Sequence, residues 1–204
     1  MTTYAFPTFT RAIPYTDWKF GMEPNSRVFT SPLSGQSQAV DLPGARWAFN
    51  LRLAGLNSEE RSQMEGWMAL LRGRANRFTC HDFINPRPRG TMRGTPVTVG
   101  TTAAGAISVV INAGGGQAST TVLVGDKLSI GGELKVMTAT VTLNGSGQGT
   151  LTVEPPFRAQ ISAGASVVWD KPTAQFMLVE NSWRLNYTAP RFADLSLDAI
   201  EVFS

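Results

Sequence analysis

The segment RWAFNLRL sets Trp47, Phe49, Leu51 and Leu53 at every second position, with Arg46, Ala48, Asn50 and Arg52 between them. A period of two predicts a strand with one wall on a core and the other in water. Directly afterwards the period lengthens. Met64, Trp67, Met68 and Leu71 recur at i, i+3, i+4 and i+7, which predicts one amphipathic helix over about residues 58–72. Asn57 suits the N-cap, and Glu60 three residues on completes a capping box. Glu59 and Glu60 place negative charge where the helix dipole favours it, while Gly73 is the expected C′ residue between Arg72 and Arg74. The apolar stripe is expected to pack on the wall formed by Trp47 and Phe49.

The flanking segments are less regular. Residues 1–45 are rich in Pro, Ser, Thr and aromatics, with turn signals at Glu23-Pro24-Asn25-Ser26 and Pro32-Leu33-Ser34-Gly35. Val28–Thr30 and Gln38–Asp41 are the short strands expected between them. After the helix, Asn76–Asp82 reads as another strand. Phe176–Val179 and Trp183–Tyr187 are expected strands either side of a turn at Asn181-Ser182. Near the end, Leu195, Leu197 and Ala199 alternate, and Ile200 and Val202 continue one residue out of phase, which predicts a bulge there.

Between these regions the composition changes. From Ile84 to Pro156 there is no aromatic residue, and between Arg93 and Glu154 the only charges are Asp126, Lys127, Glu133 and Lys135. The apolar positions are still patterned. Ile107, Val109 and Ile111 alternate, and turn signals fall at Gly125-Asp126, Gly131-Gly132 and Asn144-Gly145, the last the strongest tight-hairpin signal. This predicts a small closed β-barrel over residues 91–172, inserted into a discontinuous domain of residues 1–90 and 173–204. The expected fold class is therefore mainly β: a β-sandwich or split barrel with one α-helix, carrying an inserted small β-barrel.

Charge and chemistry narrow the function. The 204 residues carry a formal net charge of +3, mostly from arginine, short of the gathered basic excess of a nucleic-acid binder. The single cysteine, Cys80, excludes an intrachain disulfide. The first residues lack a signal-peptide pattern, and no stretch reaches the ~20 apolar residues of a membrane helix. A soluble protein made in the cytoplasm is expected. Cys80, His81 and Asp82 are neighbours on a predicted strand, so adjacent ones point to opposite faces and cannot form a nucleophile–base pair. One histidine and one cysteine do not make a structural zinc site. Gly100–Gly105 has phosphate-loop spacing, but Ala106 stands where lysine is required. No catalytic residue, metal or cofactor is expected. For a sugar-binding insert, only Phe157 and Trp169 offer the rings that stack on a pyranose.

The order of segments resembles the distal tail proteins of long-tailed (siphovirus-type) bacteriophages and the tail-tip proteins of prophages. It runs from RWAFNLRL through SEERSQMEGWMALLRG and RFTCHDF to LSLDAIEVF. The insert, with VGDKLSIGGELKVM, GQGTLTVEPPFRAQISAGASVVW and KPTAQFMLVE, is similar to the small barrel found within such proteins. The resemblance implies a structural, non-enzymatic role in the virion: a ring, commonly six-fold, joining the tail tube to the hub or baseplate. The implied partners are further copies of the chain, the tube protein and hub or baseplate proteins. Arg72, Arg74 and Arg77 at the helix exit are the candidate subunit-interface residues, against the alternative that they only cap the helix and pair locally. The other open function is recognition of a host-surface glycan by the inserted domain. Neither a membrane nor specific nucleic acid is expected as a partner.

Overall fold

Strand alternation dominates the chain from its first residues. The computed structural model describes residues 1–188 and 192–203. The chain is mainly β, with a single α-helix among the described residues. It divides into two compact units, Met1–Thr79 with Gln175–Ser204, and Cys80–Ala174.

The first unit opens with β1 (Thr3–Ala5), β2 (Tyr15–Glu23), β3 (Ser26–Thr30), β4 (Ser37–Asp41) and β5 (Arg46–Leu56). The helix α1 (Ser58–Leu71) and β6 (Arg77–His81) follow. The second unit holds β7 (Val97–Thr98), β8 (Ser108–Asn112), β9 (Thr121–Val122), β10 (Lys127–Ile130) and β11 (Glu133–Met137), then β12 (Val141–Thr142), β13 (Gln148–Glu154) and β14 (Val167–Val168). The chain returns to the first through β15 (Thr173–Leu178), β16 (Asn186–Thr188) and β17 (Phe192–Glu201).

In the first unit the strands form one sheet in the order β1-β6-β15-β17-β5-β2, with β16 added on β17. The alternation in β5 works as its pattern requires: Trp47, Phe49, Leu51 and Leu53 are buried, and Arg52 and Asn50 are exposed. Across the ladder, Phe49 pairs with Ala199 and Phe20, and Leu51 with Leu197 and Trp18, so each rung puts apolar groups on the same wall. The helix covers that wall with Met64, Trp67, Met68 and Leu71, all buried. Trp67 lies edge-on to Phe6 and Phe78, with ring centroids 5.1 and 5.0 Å away, and Phe78 in turn meets Phe49 at 6.1 Å. The stripe therefore reaches the β5 wall through Phe78, a ring supplied by the re-entry strand.

The capping box forms as the sequence predicts. Asn57 Oδ1 accepts from the N–H groups of Glu59 and Glu60, and Glu60 returns a carboxylate oxygen to the Asn57 N–H at 2.9 Å. Glu60 is buried and also holds the Arg11 guanidinium, at 2.5 and 2.8 Å. That guanidinium keeps the Glu60 carboxyl below the ordinary carboxylate range, against the opposing effect of burial. A carboxylate depressed in the folded state contributes stability that is present above its unfolded value and lost as pH falls through the folded one. Glu60→Gln is therefore expected to lower the melting temperature at neutral pH. The gap to wild type should close as pH drops below about 4; a gap independent of pH would contradict this.

Two expectations near the C-terminus are corrected. The bulge lies between Ala193 and Leu195, not beyond Ala199. Alternation instead continues to the end of β17, with Glu201 rather than Ile200 on the core side. Glu201 is tolerated there because its carboxylate accepts the Trp47 N–H at 3.0 Å. Of the strand expected at Trp183–Tyr187, only Asn186 and Tyr187 are in β16, and Trp183–Leu185 lie outside it.

The second unit is a nearly closed six-stranded barrel in the order β14-β10-β11-β13-β8-β7. A bridge between Val97 and Ser166 brings its two ends together. Its core is mostly aliphatic, with Ile111, Leu128, Ile130, Leu151 and Val153 among others around the single buried ring of Phe157. The two-residue hairpin falls at Gly131-Gly132, where Ile130 pairs with Glu133 and both glycines have positive φ, as the primed turn demands. Asn144 instead opens a longer turn, its Oδ1 accepting from the N–H groups of Ser146 and Gln148.

The sequence placed the first crossover near residue 90, where aromatics stop; the compact units divide at Thr79/Cys80. Residues 82–93 are tied to the second unit by polar contacts. The Asp82 carboxylate pairs with Lys127 at 2.6 Å, and Asp126 accepts from the N–H groups of Arg89 and Gly90 at 2.8 and 3.1 Å.

Candidate subunit interface

The helix exit is built by two successive left-handed residues. Arg72, at φ 51° and ψ 48°, caps α1, and Gly73 follows at φ 62°. Arg72 bears a side chain in a conformation that favours glycine, and its N–H reaches only Ala69 O, at 3.3 Å. The Asn76 side chain supplies the missing donor, giving Nδ2–H to Leu70 O at 2.9 Å. Gly73 is required twice over. A β-carbon there would stand 2.5 Å from Asn181 Oδ1 and 2.7 Å from the Asn181 carbonyl oxygen. Gly73→Ala is expected to destabilise the protein by more than ~1 kcal/mol, read by denaturant titration, through both the clash and the positive φ.

The three arginines of this exit separate into two kinds. Arg77 is half-buried and donates from Nη1 to the carbonyls of Arg74 and Asn76, at 2.9 and 3.3 Å. It pins the turn. Arg72 and Arg74 are exposed, and neither guanidinium makes a hydrogen bond or ion pair with the described residues.

A second feature went unread in the sequence. Tyr15–Glu23 is a nine-residue strand at one of the two ends of the sheet, the other being β1. Trp18, Phe20 and Met22 lie half-buried on its core side; Trp18 packs on Phe49 at 4.9 Å, and Phe20 on Trp47 at 5.3 Å. On the outer side, Lys19, Gly21, Asn50, Asp198 and Val179 line an open groove of about 670 Å³. The alternation Trp18-x-Phe20-x-Met22 is the signal that finds this strand.

The strand continues into an arm. β3 and β4 pair over five residues each, from Ser26 opposite Asp41 to Thr30 opposite Ser37, and all ten residues are exposed. Phe29 is 60% and Val28 63% exposed.

The residues that bear on catalysis are placed otherwise. Cys80 is buried and His81 half-buried on alternate positions of β6. Burial pushes the Cys80 thiol far above its ordinary value, so it stays protonated, and its Sγ points at the His81 carbonyl, at 3.4 Å. Burial first, then Lys171, lowers the His81 imidazole. Asp82 is occupied by Lys127 and by the Ile84 N–H. Among the described residues no three His, Cys, Asp or Glu side chains gather as metal ligands would.

No protein-family model matches the chain, and no curated protein matches its sequence. RWAFNLRL lies in β5, SEERSQMEGWMALLRG in α1 and its exit, RFTCHDF begins with β6, and LSLDAIEVF lies mostly in β17. All four begin in the first unit and build its sheet, helix and helix exit.

Proposed function

We propose that this protein is a structural component of a phage tail tip, forming a ring that joins the tail tube to the hub or baseplate. The observation that carries this reading is the edge strand β2: nine residues long, with a half-buried aromatic face, at one end of the strand order. Natural sheets blunt such edges with charges, prolines, bulges or short length, because a long edge recruits another chain; β2 carries Asp17, Lys19 and Glu23 but keeps its length. Here the one irregularity sits near the start, between Tyr15 and Asp17, and leaves Trp18–Glu23 regular. A ring built from head-to-tail contacts consumes one such edge per subunit. Arg72 and Arg74 present forked cations on the same unit and suit a polar rim to that contact; Arg77 is committed to the turn.

The glycan reading receives no comparable support. Phe157 is in the barrel core and is 1% exposed. Trp169 is half-buried, donates its indole N–H to Gly94 O at 2.8 Å and lies under the Arg93 guanidinium at 4.9 Å. Both rings are spent on packing.

Loss of the gene from the phage or prophage that encodes it is expected to stop tail completion and yield particles without tail tips, seen by electron microscopy. Fully tailed, infectious particles would overturn the proposal.

A further inference from the structure

We infer that the β3–β4 arm of one subunit lies along the β2 edge of the next copy, so that each chain gives one arm and receives one. This rests on the ring reading and names the contact that makes it. A two-stranded hairpin in water is marginal by itself, and one with both faces bare needs something to pack on. All ten strand residues of the arm are exposed, including Val28 and Phe29. The register puts Arg27, Phe29, Gln38 and Val40 on one face and Val28 with Ala39 on the other.

The arm cannot serve its own β2. Only Pro24 and Asn25 separate β2 from β3, and the link is locked: Leu42 N–H donates to Asn25 O at 2.9 Å, and Asn25 Nδ2 donates to Pro43 O at 2.8 Å. The arm thus continues the β2–β5 hairpin beyond its end instead of folding back beside it. The edge of a different molecule is the one within its reach.

The chemistry of the two halves matches. Strand addition supplies backbone pairing along an edge and sets alternate side chains on the sheet faces already present. The β2 edge is longer than either arm strand, nine residues against five. Phe29 and Val40 on one arm face would then cover the half-buried Trp18, Phe20 and Met22. The contact is heterologous, so a closed ring leaves neither an arm nor an edge over. That closure explains how a chain with a long edge strand avoids open-ended association.

The test compares wild type with two variants by native mass spectrometry at about 1–100 μM subunit, a range suited to weak interfaces. In one variant residues 26–41 are replaced by two glycines, joining Asn25 to Leu42, which are already hydrogen-bonded. The other carries Phe29→Asp and Val40→Asp. Both change exposed positions, so the melting temperature should hold. The expected result is a closed oligomer for wild type and a monomer for each variant, with subunit affinity at least ~100-fold weaker. A chain carrying both Lys19→Cys and Val28→Cys, which the proposed pairing puts on the same outer face, should give an oxidised ladder of covalent oligomers, with Cys80 buried and inert. Rings that persist without the arm would overturn this inference and leave the ring reading intact. A wild type that stays monomeric, together with no ladder from the double-cysteine chain, would overturn both.

Discussion

Trp67→Ala is expected to destabilise the protein by about 3–5 kcal/mol, among the largest effects of any single truncation in the first unit. The indole is 6% exposed and wedged between Phe6 and Phe78, and its N–H donates to Ala5 O at 2.9 Å. Alanine leaves a cavity among rings that cannot collapse into it, and it strands a carbonyl. The loss reaches further than its volume. Ala5 belongs to β1, which pairs in parallel with β6 through Ala5 opposite Thr79, so the same side chain joins helix, first strand and re-entry strand. Trp67→Phe keeps most of the apolar area and should cost less than half as much. Denaturant titration reads both, and a midpoint unmoved by Trp67→Ala would show that the helix is not part of the core.

Lys135→Met is the counterpart in the second unit, with an expected cost of about 3–5 kcal/mol. Lys135 is fully buried. Its Nζ donates to Glu133 Oε2 at 2.7 Å and to the carbonyls of Pro155 and Pro156 at 2.9 and 3.0 Å, and it sits 4.6 Å from the Phe157 ring centre. Glu133 also accepts from the N–H groups of Arg158 and Ala159, so one ammonium fixes the path of the chain across residues 155–159. Methionine fills the stem volume but leaves a carboxylate and two carbonyls without their cation. Breaking one side of such a pair costs more than never having built it. Hydrogen exchange followed by mass spectrometry should show protection lost across residues 133–159 and retained in α1. Unchanged protection at 155–159 would contradict this account.

How far the sequence discloses this molecule depends on where the period is clean. β5 and α1 were legible because Trp47–Leu53 and Met64–Leu71 keep strict periods of two and of three to four, and Asn57 with Glu60 marks the helix start. The end of β17 misled because a buried glutamate, satisfied by the Trp47 N–H, occupies the position a hydrophobic residue would mark. β2 was hidden by the prolines on either side, Pro14 and Pro24, although Trp18, Phe20 and Met22 alternate within it. The four charges in the aromatic-free stretch look like solubilising groups in sequence. Asp126 instead caps a loop, Lys127 pairs with Asp82, and Lys135 with Glu133 is an internal brace. The pairings of Asp126 and Lys127 reach back across 36 to 45 residues and leave no mark at short sequence spacing.

The candidate interface was legible only in part. The arginine cluster pointed to the helix exit, but sequence spacing gave no means to separate Arg77, which closes the turn, from Arg72 and Arg74, which face water. The arm was visible as two short strands, yet its isolation is a tertiary property: every residue of Ser26–Thr30 and Ser37–Asp41 is exposed. Substituting Arg72 and Arg74 with serine should leave the monomer folded and weaken assembly modestly, as rim charges do, with an effect that shrinks in high salt.

The most direct measurement is the mass of the intact wild-type protein under native conditions, followed across about 1–100 μM subunit. A closed species of fixed stoichiometry is expected, with no ladder of open intermediates at the top of the range. A strict monomer throughout would contradict it.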